Sequence, residues 1–201
     1  MNFEKQPQFN PKETDNMQDE TLENAEREKL MDDFYKKYFE AQVEGIKRIS
    51  LNNLKELKEK GINTEQFLDY LCSNYGYLLH GSTNEIQGKE LKLQNSKVFA
   101  TNKSAIAIMR SIYSNVGVNL EYPYFIEKND KFDLEIHTLI DGKFISVDNG
   151  FIYIIDATGF KNDPEGSWQF IKENEGAEFH TIVETEKNDF NYPVKILNDF
   201  K

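Results

Sequence analysis

The chain has 201 residues and a formal net charge of −11, enough for one globular domain with an appendage. That acidity argues against general nucleic-acid or anionic-membrane binding, both of which need a basic surface. A single cysteine, Cys72, excludes an intramolecular disulfide and a four-cysteine zinc site.

Apolar residues make up 38% of the chain and aromatics 13%, so an aromatic-rich core is affordable if part of the chain stays outside it. No apolar run approaches the roughly 20 residues needed to cross a bilayer. The first residues have neither the basic start nor the apolar stretch of a signal peptide. These features lead to the expectation of a cytoplasmic protein that does not engage a membrane. The charge is unevenly spread: residues 1–35 carry net −6, residues 36–120 net +4 and residues 121–201 net −9. Lys47, Arg48, Lys55, Lys58 and Lys60 read as a solvated helix face. Lys89, Lys92, Lys97, Lys103 and Arg110 lie outside it and are the better candidates for an anionic ligand.

Residues 1–20, with Pro7 and Pro11 and no periodicity, are expected to form a disordered tail. Residues 21–75 read as a helical segment. Leu30, Phe34, Tyr38 and Ala41 recur at helical spacing and predict a helix reaching about Arg48. Ser50 is a candidate N-cap for a second helix bearing Leu51, Leu54 and Leu57, closed by Gly61. Asn63 and Gln66 have the spacing of a capping box, ahead of a third helix with Phe67, Leu68, Leu71 and Cys72 on its apolar face. Gly76 ends it.

From residue 76 to 201 the period changes. Tyr77–His80 and Lys97–Thr101 read as short buried strands. Thr101 or Asn102 then caps a helix carrying Ala105, Ile106, Ile108, Met109, Ile112 and Tyr113. Phe132, Leu134 and Ile136 alternate with polar neighbours, as on a half-buried strand. Asp141-Gly142 and Asn149-Gly150 predict hairpin turns joining strands near 132–140, 143–148 and 151–155 into an antiparallel meander. Apolar runs near 178–184 and 192–197 could complete the sheet. The expected class is α+β: helices first, then a mostly antiparallel β-rich domain.

The most pointed local feature is His80-Gly81-Ser82 at the end of an apolar strand. Glycine lets a ligand approach the backbone, and histidine and serine hydrogen-bond ligand hydroxyls. A second feature is Val98-Phe99-Ala100-Thr101 running into an alanine-bearing helix. Each alone also fits a turn or an ordinary strand–helix junction. His137 falls on the polar side of its strand and is expected to be solvated. Three scattered histidines and one cysteine argue against a metal site. Cys72 lies at an apolar helix position and reads as a buried, inert thiol.

Together, the two features resemble the amino half of the ADP-ribosyltransferase fold, in the histidine-containing branch related to diphtheria toxin, poly(ADP-ribose) polymerases and RNA 2′-phosphotransferases. The resemblance covers residues 77–113 at motif level and the strand-rich remainder at pattern level. It implies NAD as substrate, held at its nicotinamide ribose by His80 and at its carboxamide by the Gly81 backbone, with Ser82 close by. It places Phe99 where the family has a pocket-lining tyrosine, Thr101 at the trailing position, and Tyr113 as a second ring at a longer spacing. The family's late-strand glutamate has no local signature; Glu178 is the first choice, and Glu184 and Glu186 are later choices on the same segment. His80 and Glu178 would then be catalytic. The dinucleotide is the implied ligand, and the acceptor of the ADP-ribose is left open. The alternative is a non-catalytic interaction module of the same fold, docking a protein partner or a second copy through the helix stripe Phe34, Tyr38 and Phe39.

Overall fold

The computed structural model describes residues 11–40, 45–114, 123–128, 131–137, 145–164, 168–192 and 194–197. Its architecture is α+β. Helix α1 spans Pro11–Glu40, strand β1 Lys47–Ile49, α2 Leu51–Lys58 and α3 Thr64–Tyr75. Strands β2 (Leu78–Ser82), β3 (Glu90–Leu91) and β4 (Lys97–Thr101) lead into α4 (Ser104–Ile112). Then follow β5 (Tyr113–Ser114), β6 (Pro123–Lys128), β7 (Lys131–His137), β8 (Ile145–Ser146) and β9 (Asn149–Ile155). The last strands are β10 (Lys161–Asn162), β11 (Gln169–Glu173), β12 (Ala177–Glu186) and β13 (Val194–Leu197), with a short 3₁₀ turn at Lys187–Asp189.

Local chemistry accounts for the helix boundaries. Ser50 caps α2 and Asn63 caps α3, each with the complete reciprocal capping box. Gly76 closes α3 in the left-handed conformation, φ 69°, which costs a glycine little. The N-cap position of α4 is Lys103, whose side chain makes no cap bond. The cap comes instead from a different helix: Asp69 accepts from the Ser104 hydroxyl at 2.6 Å and from its amide at 3.4 Å.

The principal sheet runs β1-β12-β9-β2-β4-β11-β10, with β3 paired to β12. Its pairings are antiparallel except β1 with β12. Residues opposite one another share a face and successive residues alternate, so the register defines two surfaces. One carries Ile49, Leu79, Ile152, Ile154 and Val183. It is buried under Phe34 and Tyr35 of α1, Leu54 and Leu57 of α2, Phe67, Leu68 and Leu71 of α3, and Ala107, Ile108 and Met109 of α4. The opposite surface carries Leu78, Tyr153, Ile155 and Ile182 and packs with Leu91, Val98, Ala100 and Phe179. Helix α4 lies directly on the sheet at two glycines. A Cβ on Gly81 would stand 2.0 Å from the Ala107 carbonyl oxygen, and one on Gly150 would stand 1.9 Å from that of Ser111.

Several expectations are corrected. Residues 11–20 belong to α1 rather than to a disordered tail, while residues 1–10 lie outside the described residues. The first helix ends at Glu40, and Lys47–Ile49 is a strand inside the segment expected to be helical throughout. Its three residues pair along the edge of β12, a tertiary contact that overrides local propensity. The expected meander is divided among three sheets: β7 pairs with β6 and in parallel with β13, β8 pairs with β5, and β9 joins the principal sheet. Asn149-Gly150 is no turn but the start of β9, where the glycine admits α4. Asp141-Gly142 lies outside the described residues. Among the described residues no helix is long and apolar enough to cross a membrane.

Candidate functional site between strands β2, β9 and β12

His80 sits on β2 opposite Tyr153 of β9, which stands opposite Ile182 of β12, which pairs with Arg48 of β1. The neighbouring row on the same face is Ser82, Phe151 and Glu184. This is the face away from the helices. Strands β2 and β4 pair at one position only, Leu79 with Thr101. Beyond it their ladder stops, and the His80 ring spans the gap, with Nδ1 2.8 Å from the Phe99 carbonyl oxygen. A carbonyl only accepts, so Nδ1 carries the hydrogen and Nε2 is left as an acceptor. Burial holds the ring's pKa below its usual value, the Phe99 carbonyl opposes that shift, and the positive charge of Arg110 on α4 adds to it. At neutral pH His80 is therefore an uncharged imidazole.

The other predicted residues divide into those at this site and those elsewhere. Gly81 follows His80, but the space its side chain would fill is taken by α4, so the glycine serves helix packing. The Ser82 hydroxyl closes a turn, donating to the Asn84 carbonyl at 2.8 Å and accepting from the Asn84 amide at 3.2 Å. Phe99 shares a face with Thr101 and Leu79, the helix side, while His80 points to the other. The two residues are on adjacent strands, as the resemblance requires, but their rings leave opposite sides of the sheet. Val98 and Ala100 are the β4 residues on the His80 face. Thr101 is buried, donating to the Trp168 carbonyl at 2.7 Å and accepting from the Lys103 amide at 3.1 Å. Tyr113, past the far end of α4, packs edge-on against Phe190 at 5.5 Å.

Glu178 is exposed and stands opposite Glu90 of β3. It lies four positions from Ile182, the β12 residue level with His80, which is about 13 Å along a strand; a bulge between Phe179 and Thr181 intervenes. Glu184 is the glutamate level with Ser82, about two strand spacings or 10 Å across the sheet. Arg48 Nη1 bonds Glu184 Oε1 at 2.6 Å, and the Leu51 amide at the start of α2 donates to Oε2 at 3.2 Å. Of the three glutamates considered on this segment, the register favours Glu184.

Of the cations proposed for an anionic ligand, Arg110 is the one beside His80 and Gly81. Lys97 stands opposite Glu173. Lys103 lines a cavity of about 390 Å³ between α3 and the start of α4, with Glu65, Asp69, Cys72, Ser104 and Ile106. None of the predicted site residues lines that cavity. Burial pushes the Cys72 thiol up to about 12, in keeping with an inert thiol. The helix stripe is spent inside the protein: Phe34 and Tyr35 are buried, and Tyr38 and Phe39 pack against the same cluster.

Two residues of the site escaped the sequence reading. Arg48 reads from the sequence as part of a solvated basic face, whereas in the structure it pairs with Glu85 and Glu184. Tyr153 was submerged in the run Phe151–Ile155, although a tyrosine among isoleucines needs a partner for its hydroxyl. Compared with protein-family models, curated proteins and solved structures, the chain matches none.

Proposed function

We propose that the chain binds NAD on the surface formed by β2, β9 and β12 and acts as an ADP-ribosyltransferase-like enzyme, transferring ADP-ribose to an acceptor or releasing it to water. The observation that carries this reading is His80 at the parting of β2 and β4, uncharged, with Nδ1 committed to the Phe99 carbonyl and Nε2 left to accept. That arrangement suits a ribose hydroxyl, which donates to Nε2. Phe99 has no part as a stacking platform; Tyr153, whose ring centroid lies 6.2 Å from that of His80, and Phe151, beside Ser82, are aromatics on the His80 face.

The chemistry follows from charge. The bond between ribose C1′ and the nicotinamide nitrogen breaks, its electron pair leaves with nicotinamide, and positive charge develops on the ribose. Water or another nucleophile forms the new bond to C1′ and gives up its proton to solvent. Glu184, oriented by Arg48 and the Leu51 amide, is the carboxylate we assign to stabilise that charge. The test is titration of the full chain with NAD by calorimetry, followed by assay for free nicotinamide. Heat of binding to one site per chain and nicotinamide release lost in Glu184→Gln support the reading. Absence of binding at millimolar NAD contradicts it.

A further inference from the structure

The loop of residues 83–89, between β2 and β3, has a fixed route. It leaves β2 at Ser82 and must reach β3, which pairs with the beginning of β12. Strand β9 lies between β2 and β12, so the loop crosses the rows His80–Tyr153–Ile182 and Ser82–Phe151–Glu184. Its residues are mostly exposed, and Ile86 is the one apolar side chain turned into the second cluster. Two side chains from beneath hold it. Tyr153 is fully buried, yet its hydroxyl accepts from the Ile86 amide at 2.6 Å and approaches the Asn84 carbonyl at 3.4 Å. Arg48, while bonded to Glu184, also pairs with Glu85 of the loop and lies over the Phe151 ring.

We infer that Tyr153 and Arg48 are positioning residues that clasp this loop as a movable roof over the surface between His80 and Glu184. A segment anchored by one partly buried apolar side chain opens at low cost compared with the sheet beneath it. The clasp at Glu85 is exposed and weak, as surface ion pairs are, whereas the clasp at Tyr153 is the buried one. Because Arg48 holds the roof and Glu184 at once, opening the roof and freeing the carboxylate are linked. A ligand reaches the surface through the opened roof, so the clasps set its rate of entry. The role toward ligand rests on the NAD reading; the clasping of the loop does not.

The experiment uses the full chain and two variants, Tyr153→Phe, which removes only the hydroxyl, and Glu85→Ala, which opens the outer clasp from the surface. Amide exchange in the free proteins is expected to be at least tenfold faster across residues 83–89 in Tyr153→Phe, with the peptides of β9 and β12 unchanged. Stopped-flow mixing with NAD is expected to show association several-fold faster in both variants. Unchanged loop exchange in Tyr153→Phe overturns the clasp. Faster loop exchange with unchanged NAD association overturns the roof. Should the wild-type chain fail to bind NAD while the loop exchanges as expected, the NAD reading fails and the clasp stands.

Discussion

At the scale of single residues, the site is built on exchanges of one group for another. His80 gives one ring nitrogen to a strand carbonyl and so frees the other in a defined role. Gly81 gives its side-chain space to α4. Gly81→Ala is therefore expected to cost about 3 kcal/mol, the upper range of overpacking, and to lower the melting temperature whether or not NAD is present. Chemical denaturation of the variant checks it, and unchanged stability would mean that α4 does not bear on Gly81. His80 and His180 also give a pH dependence. Burial lowers the pKa of both rings from 6.5 in the folded state, and His180 Nε2 is buried without a hydrogen-bond partner among the described residues. A lowered histidine pKa means the folded state resists the proton. The stability these rings contribute as neutral groups is present above about pH 6.5 and is lost as pH falls from there toward their folded values. The melting temperature should decline from pH 7 to pH 5, and His180→Phe, which keeps a ring between Phe39 and Tyr77, should flatten part of that decline. Identical pH profiles for the two proteins would contradict the assignment.

At the scale of elements, what was legible in the sequence was local chemistry. Ser50, Asn63 with Gln66, and Gly76 gave the bounds of α2 and α3 because a cap is decided within four residues. Strand β4 was legible for the same reason, an apolar run closed by polar residues. What was not legible was set at a distance. Strand β1 exists because β12 offers an edge, and Asn149-Gly150 is a strand because Ser111 of α4 lies on the glycine. Helix α1 extends to Pro11 beyond any apolar periodicity, while its final turns, with Phe34 at 5.2 Å from Phe67 and 4.7 Å from Tyr38, supply the packing. Phe34→Ala is expected to cost about 3–5 kcal/mol, whereas removal of residues 1–10 should leave the melting temperature within a degree or two. Comparable losses from both changes would show that the amino terminus is packed.

At the scale of the molecule, the principal sheet separates two surfaces with different duties. Four helices cover one, and the aromatic stripe of α1 packs into that core. The other carries His80, Tyr153, Arg48 and Glu184 under a single loop. The fold class followed from the change of period near Gly76, since three helices precede it and most of the strands follow it. The candidate site was legible only in part: the His80-Gly81-Ser82 motif is a local pattern, but preferring Glu184 to Glu178 depends on the register of β12 against β9 and β2, which no local pattern encodes. For the same reason the Phe99 ring could not be assigned to a face before its strand was paired.

The central claim is that His80 serves a dinucleotide and not the core. The most direct measurement is the NAD affinity and the ligand-free melting temperature of wild type and His80→Ala, side by side. The account predicts NAD binding weakened by about 1–3 kcal/mol, the cost of an unpaired ligand hydroxyl, over and above any loss of stability from the Phe99 carbonyl left without its ring partner. Equal NAD affinity in the two proteins, with a lowered melting temperature in the variant, would contradict it.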